Sequence, residues 1–526
     1  MPDTGALEAI FADLDEPGSP GGTVAVSKDG DVVATASFGR ASIEHAVANR
    51  RDTVFYIAST SKQFVACSIV MLEAEGKLSL DDDIREYIPE LSYDEPIRVF
   101  HLVHHTSGIR DKYALGAIGG LPEESYSTDE GTMRLLSRQR TLNFPPGSQF
   151  MYSNSGYFLL AQIVERVSGT PLRAFTEQRI FGPLGMKSTL FRDDPGTIVA
   201  NKASGYRRSA EGDWRLAEYT WPSLGAGGVF STVDDLARWD RALYGGFLEP
   251  ADLPQRMVRT RPLTSGEPNP YGFGLVDDTY RGLRCVHHAG GVSGYNADFV
   301  RFPDEKLTVI CLTNTSASGA SMRARRVADL YLGDALEPVT APAGIRDDVV
   351  PDTGLVSGLF LSDDEASVIE VIVAEGGVAA RVGGQRVPLQ VVTPATLVGP
   401  VGSEISFDAE GLSILVPGAS KARRYNRIDV DEAGPPADVA GLYVSDELGT
   451  QLEISLNGRD VEIARDGGPR KTLRPVGGDR FVWDVEALSS SFEVPVFVVR
   501  GAGGHPSALR VNFDRALGTL FTRLAR

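Results

Sequence analysis

The sequence predicts an α+β domain followed by two small antiparallel β-barrels, and three observations carry that expectation. In the first 337 residues, strand-like segments at both ends flank a largely helical middle. Beyond residue 337 helical periodicity stops, and short alternating segments separated by glycine turns take over. That second part also repeats itself. Gly358-Leu359-Phe360-Leu361-Ser362-Asp363-Asp364-Glu365 is echoed by Gly441-Leu442-Tyr443-Val444-Ser445-Asp446-Glu447-Leu448. The copies close on similar words, Tyr425-Asn426-Arg427-Ile428 and Phe521-Thr522-Arg523-Leu524. An all-strand unit of roughly 80 to 90 residues, present twice, fits a small closed barrel.

Taken in order, residues 6–14 read as a short amphipathic helix, and Gly22 to Ser27 with Val32 to Phe38 as a hairpin around Lys28-Asp29-Gly30-Asp31. A helix begins near Ser59 and carries Phe64, Val65, Ile69, Met71 and Leu72 to a stop at Gly76. Leu78 to Ile88 reads as a turn and a further helix, and residues 97–105 are apolar at helical spacing. Residues 155–167 form a strong amphipathic helix ending at Gly169, and Thr232 caps another over Asp234 to Tyr244. Strands follow at Cys285 to His288, Ala297 to Phe302 and Leu307 to Leu312. The expected boundaries are a first domain over 1–337, a Pro- and Asp-rich linker over 338–352, a barrel over 353–429, a second linker over 430–437 and a second barrel over 438–526.

Bulk properties exclude several functions. A net charge of −18 argues against a nucleic-acid partner, which needs a basic face, and against adhesion to an anionic membrane. No apolar run reaches the ~18 to 20 residues of a spanning helix, and the N-terminus lacks the basic cluster and apolar core of an export signal. Cys67, Cys285 and Cys311 are an odd number in apolar surroundings, which fits small buried thiols in a reducing compartment, the cytoplasm by default.

Chemistry concentrates in three places. Of nine lysines only Lys62 has a serine three residues before it, so Ser59 and Lys62 stack on one helix face. A serine hydroxyl attacks at neutral pH only when a neighbour takes its proton, and an adjacent amine can do so. Alone, Ser-x-x-Lys also describes a helix cap followed by a solvated lysine. The second place is Tyr152-Ser153-Asn154, after Pro145-Pro146-Gly147. It offers a phenol to relay a proton and an amide to hold a carbonyl or the lysine. The third is His288-Ala289-Gly290-Gly291 on a strand, where glycine lets a substrate approach and a backbone N–H face a developing oxyanion. There His288 supplies a polar or cationic group.

Ser59-x-x-Lys62, Tyr152-x-Asn154 and His288-x-Gly290, separated by about 90 and about 135 residues, together resemble the penicillin-recognising serine hydrolases. Flanking words agree: His104-His105-Thr106-Ser107-Gly108, Phe181-Gly182-Pro183-Leu184-Gly185-Met186 and Tyr271-Gly272-Phe273-Gly274. Many members carry Lys-Thr-Gly at the third place, and the His-x-Gly form is typical of the D-aminopeptidase and some esterase branches. The resemblance implies a β-lactamase/DD-peptidase-like catalytic domain, an antiparallel sheet with helices plus a helical subdomain. It implies that Ser59, Lys62 and Tyr152 are catalytic, and that Asn154, His288, Gly290 and Gly291 bind substrate or oxyanion. It further implies an exopeptidase releasing a D-residue of D-Ala or Gly type from a short amide or peptide, with a homodimer as the precedent. A loop of the last barrel, here Asp484 to Pro495 with Asp484, Glu486 and Glu493, would meet the substrate's free amine. No cofactor or metal is expected, since the sequence lacks His-Glu-x-x-His and any phosphate-cradling glycine loop. A DD-carboxypeptidase or β-lactamase, a small-ester esterase, and a non-catalytic receptor or scaffold on the same fold stay open as alternatives.

Overall fold

The computed structural model describes residues 4–524 except 210, 219–223, 339–348, 375–376, 383–384, 400–401, 417–421, 429–435, 459 and 488–489. The linkers expected at 338–352 and 430–437 therefore lie mostly outside the described residues. The chain divides into two compact units. One comprises Met1–Ile109, Ser127–Ser137 and Phe144–Pro338; the other comprises Arg110–Tyr126, Arg138–Asn143 and Val339–Arg526.

The first unit is built on a six-stranded antiparallel sheet. Its strands are β1 (Gly22–Lys28), β2 (Asp31–Phe38), β3 (Val276–Tyr280), β4 (Leu283–Val292), β5 (Tyr295–Phe302) and β6 (Leu307–Thr313), in the order β3-β4-β5-β6-β1-β2. The expected Asp29-Gly30 hairpin joins β1 to β2, with both turn residues at positive φ, as the strand twist favours. β1 then pairs with β6, Gly22 opposite Thr313, so two segments far apart in the chain sit side by side at the sheet's centre. One face of the sheet buries Val24, Val26, Val300, Phe302, Val309 and Cys311 against Leu7, Phe11, Ala324 and Val327. These last two lie on a helix over Ala320–Leu332.

Three helices matter for the site: α1 (Lys62–Ala74), α2 (Asn154–Ser168) and α3 (Val233–Ala242). α1 is buried at every position from Lys62 to Leu72: most of these residues are apolar, and Gln63 and Ser68 bond to the Thr60 and Phe64 carbonyls. Phe64 packs edge-on against Phe181, with ring centroids 5.1 Å apart, and tilts against Trp239 on α3 at 5.0 Å. α2 is capped by Ser153, whose hydroxyl accepts the Gly156 N–H at 3.2 Å, and it stops at Gly169 as its sequence predicts. Thr232 caps α3 likewise, accepting the Asp235 N–H. On α3 Asp240 accepts from Arg301 Nε of β5 at 2.6 Å and from the Thr308 hydroxyl of β6 at 2.8 Å. This buried ion pair fixes α3 against the sheet with its charges compensated.

In the second unit the repeat becomes two closed antiparallel barrels of eight strands each. In both, the first repeated word pairs with the last: Leu359 lies opposite Ile428, and Tyr443 opposite Arg523. Closure leaves no sheet edge, which small barrels need. Phe360, Val371, Leu397, Leu412 and Tyr425 fill the first barrel. Two pieces of the stretch expected in the first domain belong to this unit. Arg110, 2% exposed, bonds to Glu447 Oε2 at 2.7 Å, to Thr141 Oγ1 at 2.7 Å and to the Leu517 carbonyl at 2.9 Å. A helix over Lys112–Gly119, capped by Asp111, follows it.

Cys67, Cys285 and Cys311 are buried free thiols, and burial pushes Cys285 and Cys311 each up to about 12. Among the described residues no helix is long and apolar enough to cross a membrane.

Candidate active site

Ser59 sits where a short strand turns into α1. Phe55–Tyr56 pairs with Val229–Ser231, and the chain then tightens at Ala58, φ +46°, into a 3₁₀ turn over Ala58–Ser61 that runs directly into α1. The expected helix start at Ser59 is thus a 3₁₀ turn, in which residues three apart eclipse one another. Ser61 pins the turn: its hydroxyl donates to the Ala58 carbonyl at 2.6 Å and accepts the Val229 N–H at 3.2 Å. Eclipsing puts Lys62 Nζ 3.1 Å from Ser59 Oγ, with Ser59 partly exposed and Lys62 fully buried.

Two acceptors orient the amine. Nζ lies 3.0 Å from Asn154 Oδ1, on the first residue of α2, and 2.6 Å from the Ala226 carbonyl. Both oxygens can only accept, so each takes an N–H, and the third tetrahedral direction points at Ser59. As an ammonium, Lys62 donates there; as a neutral amine, it turns its lone pair to the serine hydroxyl. The same geometry therefore serves both halves of a proton transfer. The Tyr152 ring lies beneath the amine, 4.8 Å from Nζ to its centroid, and the buried Tyr157 ring at 5.7 Å.

The third segment is β4. Its pairing with β3 ends at His287 opposite Val276, while its pairing with β5 continues to Val292 opposite Tyr295. Residues 288–292 thus form an edge to which no other strand of this sheet bonds. That edge lies against the Ser59 turn. The Thr60 hydroxyl donates to the His288 carbonyl at 3.2 Å, and a Cβ on Gly290 would fall 2.2 Å from the Ile57 carbonyl oxygen. Glycine at 290 is what lets strand and turn meet. Gly291, the next residue, is exposed.

Of the two characters expected for His288, polar or cationic, its surroundings favour the polar one. His288 is buried, its Nδ1 lies 2.6 Å from the Ala289 carbonyl, and its Nε2 lies 2.8 Å from the Tyr271 hydroxyl. The carbonyl can only accept, so Nδ1 carries the proton and Nε2 accepts from Tyr271. Burial, reinforced by the charge on Lys62, lowers its pKa to about 3. His288 is a neutral imidazole at physiological pH, not a cation. Burial likewise holds Tyr271 well above the usual phenol range, so its hydroxyl keeps the proton it donates.

From the sequence Ala226 has no role, and His105 and Tyr271 enter only within flanking words. Ala226 acts through its backbone, so the one available signal was its setting, Gly225-Ala226-Gly227-Gly228. Gly225, at φ +92°, brings the chain so close to α2 that a Cβ would meet the Tyr157 carbonyl oxygen at 2.3 Å.

The acidic segment of the last barrel differs from the expected loop. Strands run over Arg480–Ala487 and Ser490–Arg500, so Asp484 to Pro495 is mostly an extended hairpin with Asp484 opposite Glu493. Asp484 is exposed. Glu493 is buried and accepts from Arg474 at 3.0 Å, and burial raises its pKa against the opposing pull of Arg474. The Glu486 side chain lies outside the described residues.

Fold and site together define a class: an α+β scaffold whose sheet edge, central helix and second helix place a serine hydroxyl beside an amine. The sequence profile of the Beta-lactamase family matches residues 7–333, and the chain belongs to that family. It is similar to the D-aminopeptidase of Brucella anthropi, 29% identical over 489 residues that cover 91% of this chain and 90% of that one. To the D-aminopeptidase of Gluconobacter oxydans (strain 621H) it is 27% identical over 440 residues, covering 83% and 81%. Among solved structures, the octameric penicillin-binding protein homologue from Pyrococcus abyssi superposes with a TM-score of 0.58 at 25% identity, covering 81% of this chain and 100% of that one.

Proposed function

We propose that this protein is a serine hydrolase that works through an acyl-enzyme on Ser59 and releases an N-terminal D-residue, of D-Ala or Gly type, from short amides or peptides. The observation that carries the reaction type is Lys62 Nζ, held by Asn154 and Ala226 with its third direction 3.1 Å from Ser59 Oγ. Ser59 Oγ attacks the amide carbonyl while Lys62, assisted by Tyr152, takes its proton. The N–H groups of Ser59 and Gly291 hold the oxyanion, each worth roughly 3 kcal/mol. Tyr152 returns the proton to the leaving amine, and water, activated by the same groups, frees the acyl product.

The substrate class is supported by the D-aminopeptidases, whose similarity runs through the barrels as well as the catalytic part. The neutral His288 supports it too, because a carboxypeptidase or β-lactamase site needs a cation for the substrate's carboxylate. For the substrate's ammonium the resemblance offers the acidic hairpin of the last barrel, in which Asp484 is exposed and Glu493 is engaged by Arg474. A homodimer follows the family precedent, and a cytoplasmic setting fits three reduced thiols.

The deciding experiment is a panel of D-alanyl p-nitroanilide, its L-isomer, a penicillin and a p-nitrophenyl ester. The D-anilide is expected to turn over with the highest kcat/KM. Preference for the penicillin would make the protein a lactamase or carboxypeptidase, and turnover of the ester alone an esterase. Turnover of nothing would point to a silent receptor.

A further inference from the structure

His105 lies in none of the three motifs, yet it grips the segment that carries Tyr152 at three points. Its carbonyl accepts the Met151 N–H at 2.9 Å. Its Nδ1 accepts the Ser153 N–H at 3.0 Å, which leaves the ring proton on Nε2. Between those two anchors its ring lies on the Tyr152 ring, centroids 4.3 Å apart and planes tilted by 38°. The residues on either side of Tyr152 are thus each bonded to one and the same histidine.

The histidine is itself held in an unusual state. Its backbone has φ +56°, in the left-handed region that few non-glycine residues occupy. It is 1% exposed, with the Tyr271 ring at 4.3 Å and the Tyr157 ring at 5.0 Å. The preceding residue ties this turn to the Tyr271 loop: His104 Nδ1 donates to the Tyr271 carbonyl at 2.9 Å, and Asn269 Nδ2 donates to the His104 carbonyl at 3.0 Å. A strained backbone kept in place by its surroundings is characteristic of a part whose position matters.

We propose that His105 is a positioning residue that fixes the Tyr152 phenol over the Ser59–Lys62 pair, working through geometry and not by exchanging a proton with substrate. Its carbonyl and its imidazole both reach the Met151–Ser153 segment, so it brackets Tyr152 from both sides. This inference rests on the proton-relay role given to Tyr152 above.

The test follows acylation of Ser59 by p-nitrophenyl acetate, read as the burst of p-nitrophenol and the acetyl adduct on the Ser59 peptide, a readout independent of any preference for D-residues. His105→Ala should slow acylation about 10- to 100-fold. His105→Asn should stay within about fivefold of wild type, because Asn Oδ1 occupies the place of Nδ1 and Asn tolerates positive φ. In a Tyr152→Phe background the loss from His105→Ala should shrink to about twofold or less, since a prop has no effect once the hydroxyl it holds is gone. An equal loss in both backgrounds would make His105 a structural residue only and overturn the proposal, as would wild-type acylation by the folded Ala variant. If the Ala variant fails to fold, the Asn variant decides, and slow acylation by folded His105→Asn overturns the proposal. An unlabelled Ser59 in the wild-type protein would overturn the hydrolase reading itself, and this inference with it.

Discussion

Two buried imidazoles flank Tyr271, and they are set opposite ways round. The His105 ring lies 4.3 Å and the His288 ring 5.7 Å from the Tyr271 ring. His105 accepts at Nδ1 from the backbone of the Tyr152 segment, whereas His288 donates from Nδ1 to its own strand and accepts at Nε2 from Tyr271. One stands on a left-handed turn, the other in a regular strand. In neither is the imidazole used as a general base of the usual histidine kind. On the proposed mechanism both serve geometry, one for the phenol and one for the strand edge, and the proton chemistry falls to Lys62 and Tyr152.

That division of labour is broken hardest by removing the amine. Lys62→Met should cut kcat/KM by about 10³-fold or more while far-ultraviolet circular dichroism stays native, because the accepting nitrogens of His105 and His288 are already engaged by the Ser153 N–H and the Tyr271 hydroxyl. Activity within tenfold of wild type would mean that a histidine is the base after all. Tyr271→Phe is a smaller perturbation: it deletes the hydroxyl that His288 accepts from but keeps the ring against His105. A loss of about 3- to 30-fold in kcat/KM is expected, typical of one buried hydrogen bond. A loss as deep as that of Lys62→Met would make Tyr271 a proton-transfer group.

The smallest effect concerns stability. Burial lowers His288 to about 3 and His101 and His104 each to about 4, against an unfolded value near 6.5. Between those values the unfolded chain binds protons that the folded chain does not, so stability is full above pH ~6.5 and falls as pH drops below it. Each of the three should withdraw about 1 kcal/mol between pH 6.5 and 5.5. Urea midpoints across that range test this, and an unchanged midpoint would contradict the neutral state of these rings.

What could be read from the sequence follows the kind of interaction involved. The meeting of Ser59, Lys62, Tyr152 and Asn154 was legible because their side chains recur in motifs of fixed spacing, and the barrels because a strand word recurs. The charge state of His288 was not legible, since it depends on burial and on a tyrosine from another loop. Ala226 contributes only a carbonyl, which any residue possesses. His105 required its φ angle, and the recruitment of Arg110 by the second unit required a partner, Glu447, far along the chain. Asp484 to Pro495 was expected as a loop from the family resemblance, yet the buried Val485 and Val494 continue the alternation of a strand.

On the proposed mechanism three distant segments converge to make Ser59 the nucleophile. The most direct measurement is mass spectrometry of the peptide containing Ser59 after rapid acid quench of a reaction with a D-alanyl ester. The wild-type protein should carry one D-alanyl group on Ser59, and Ser59→Ala should show neither adduct nor turnover. An adduct on another residue, or undiminished turnover by Ser59→Ala, would contradict that mechanism.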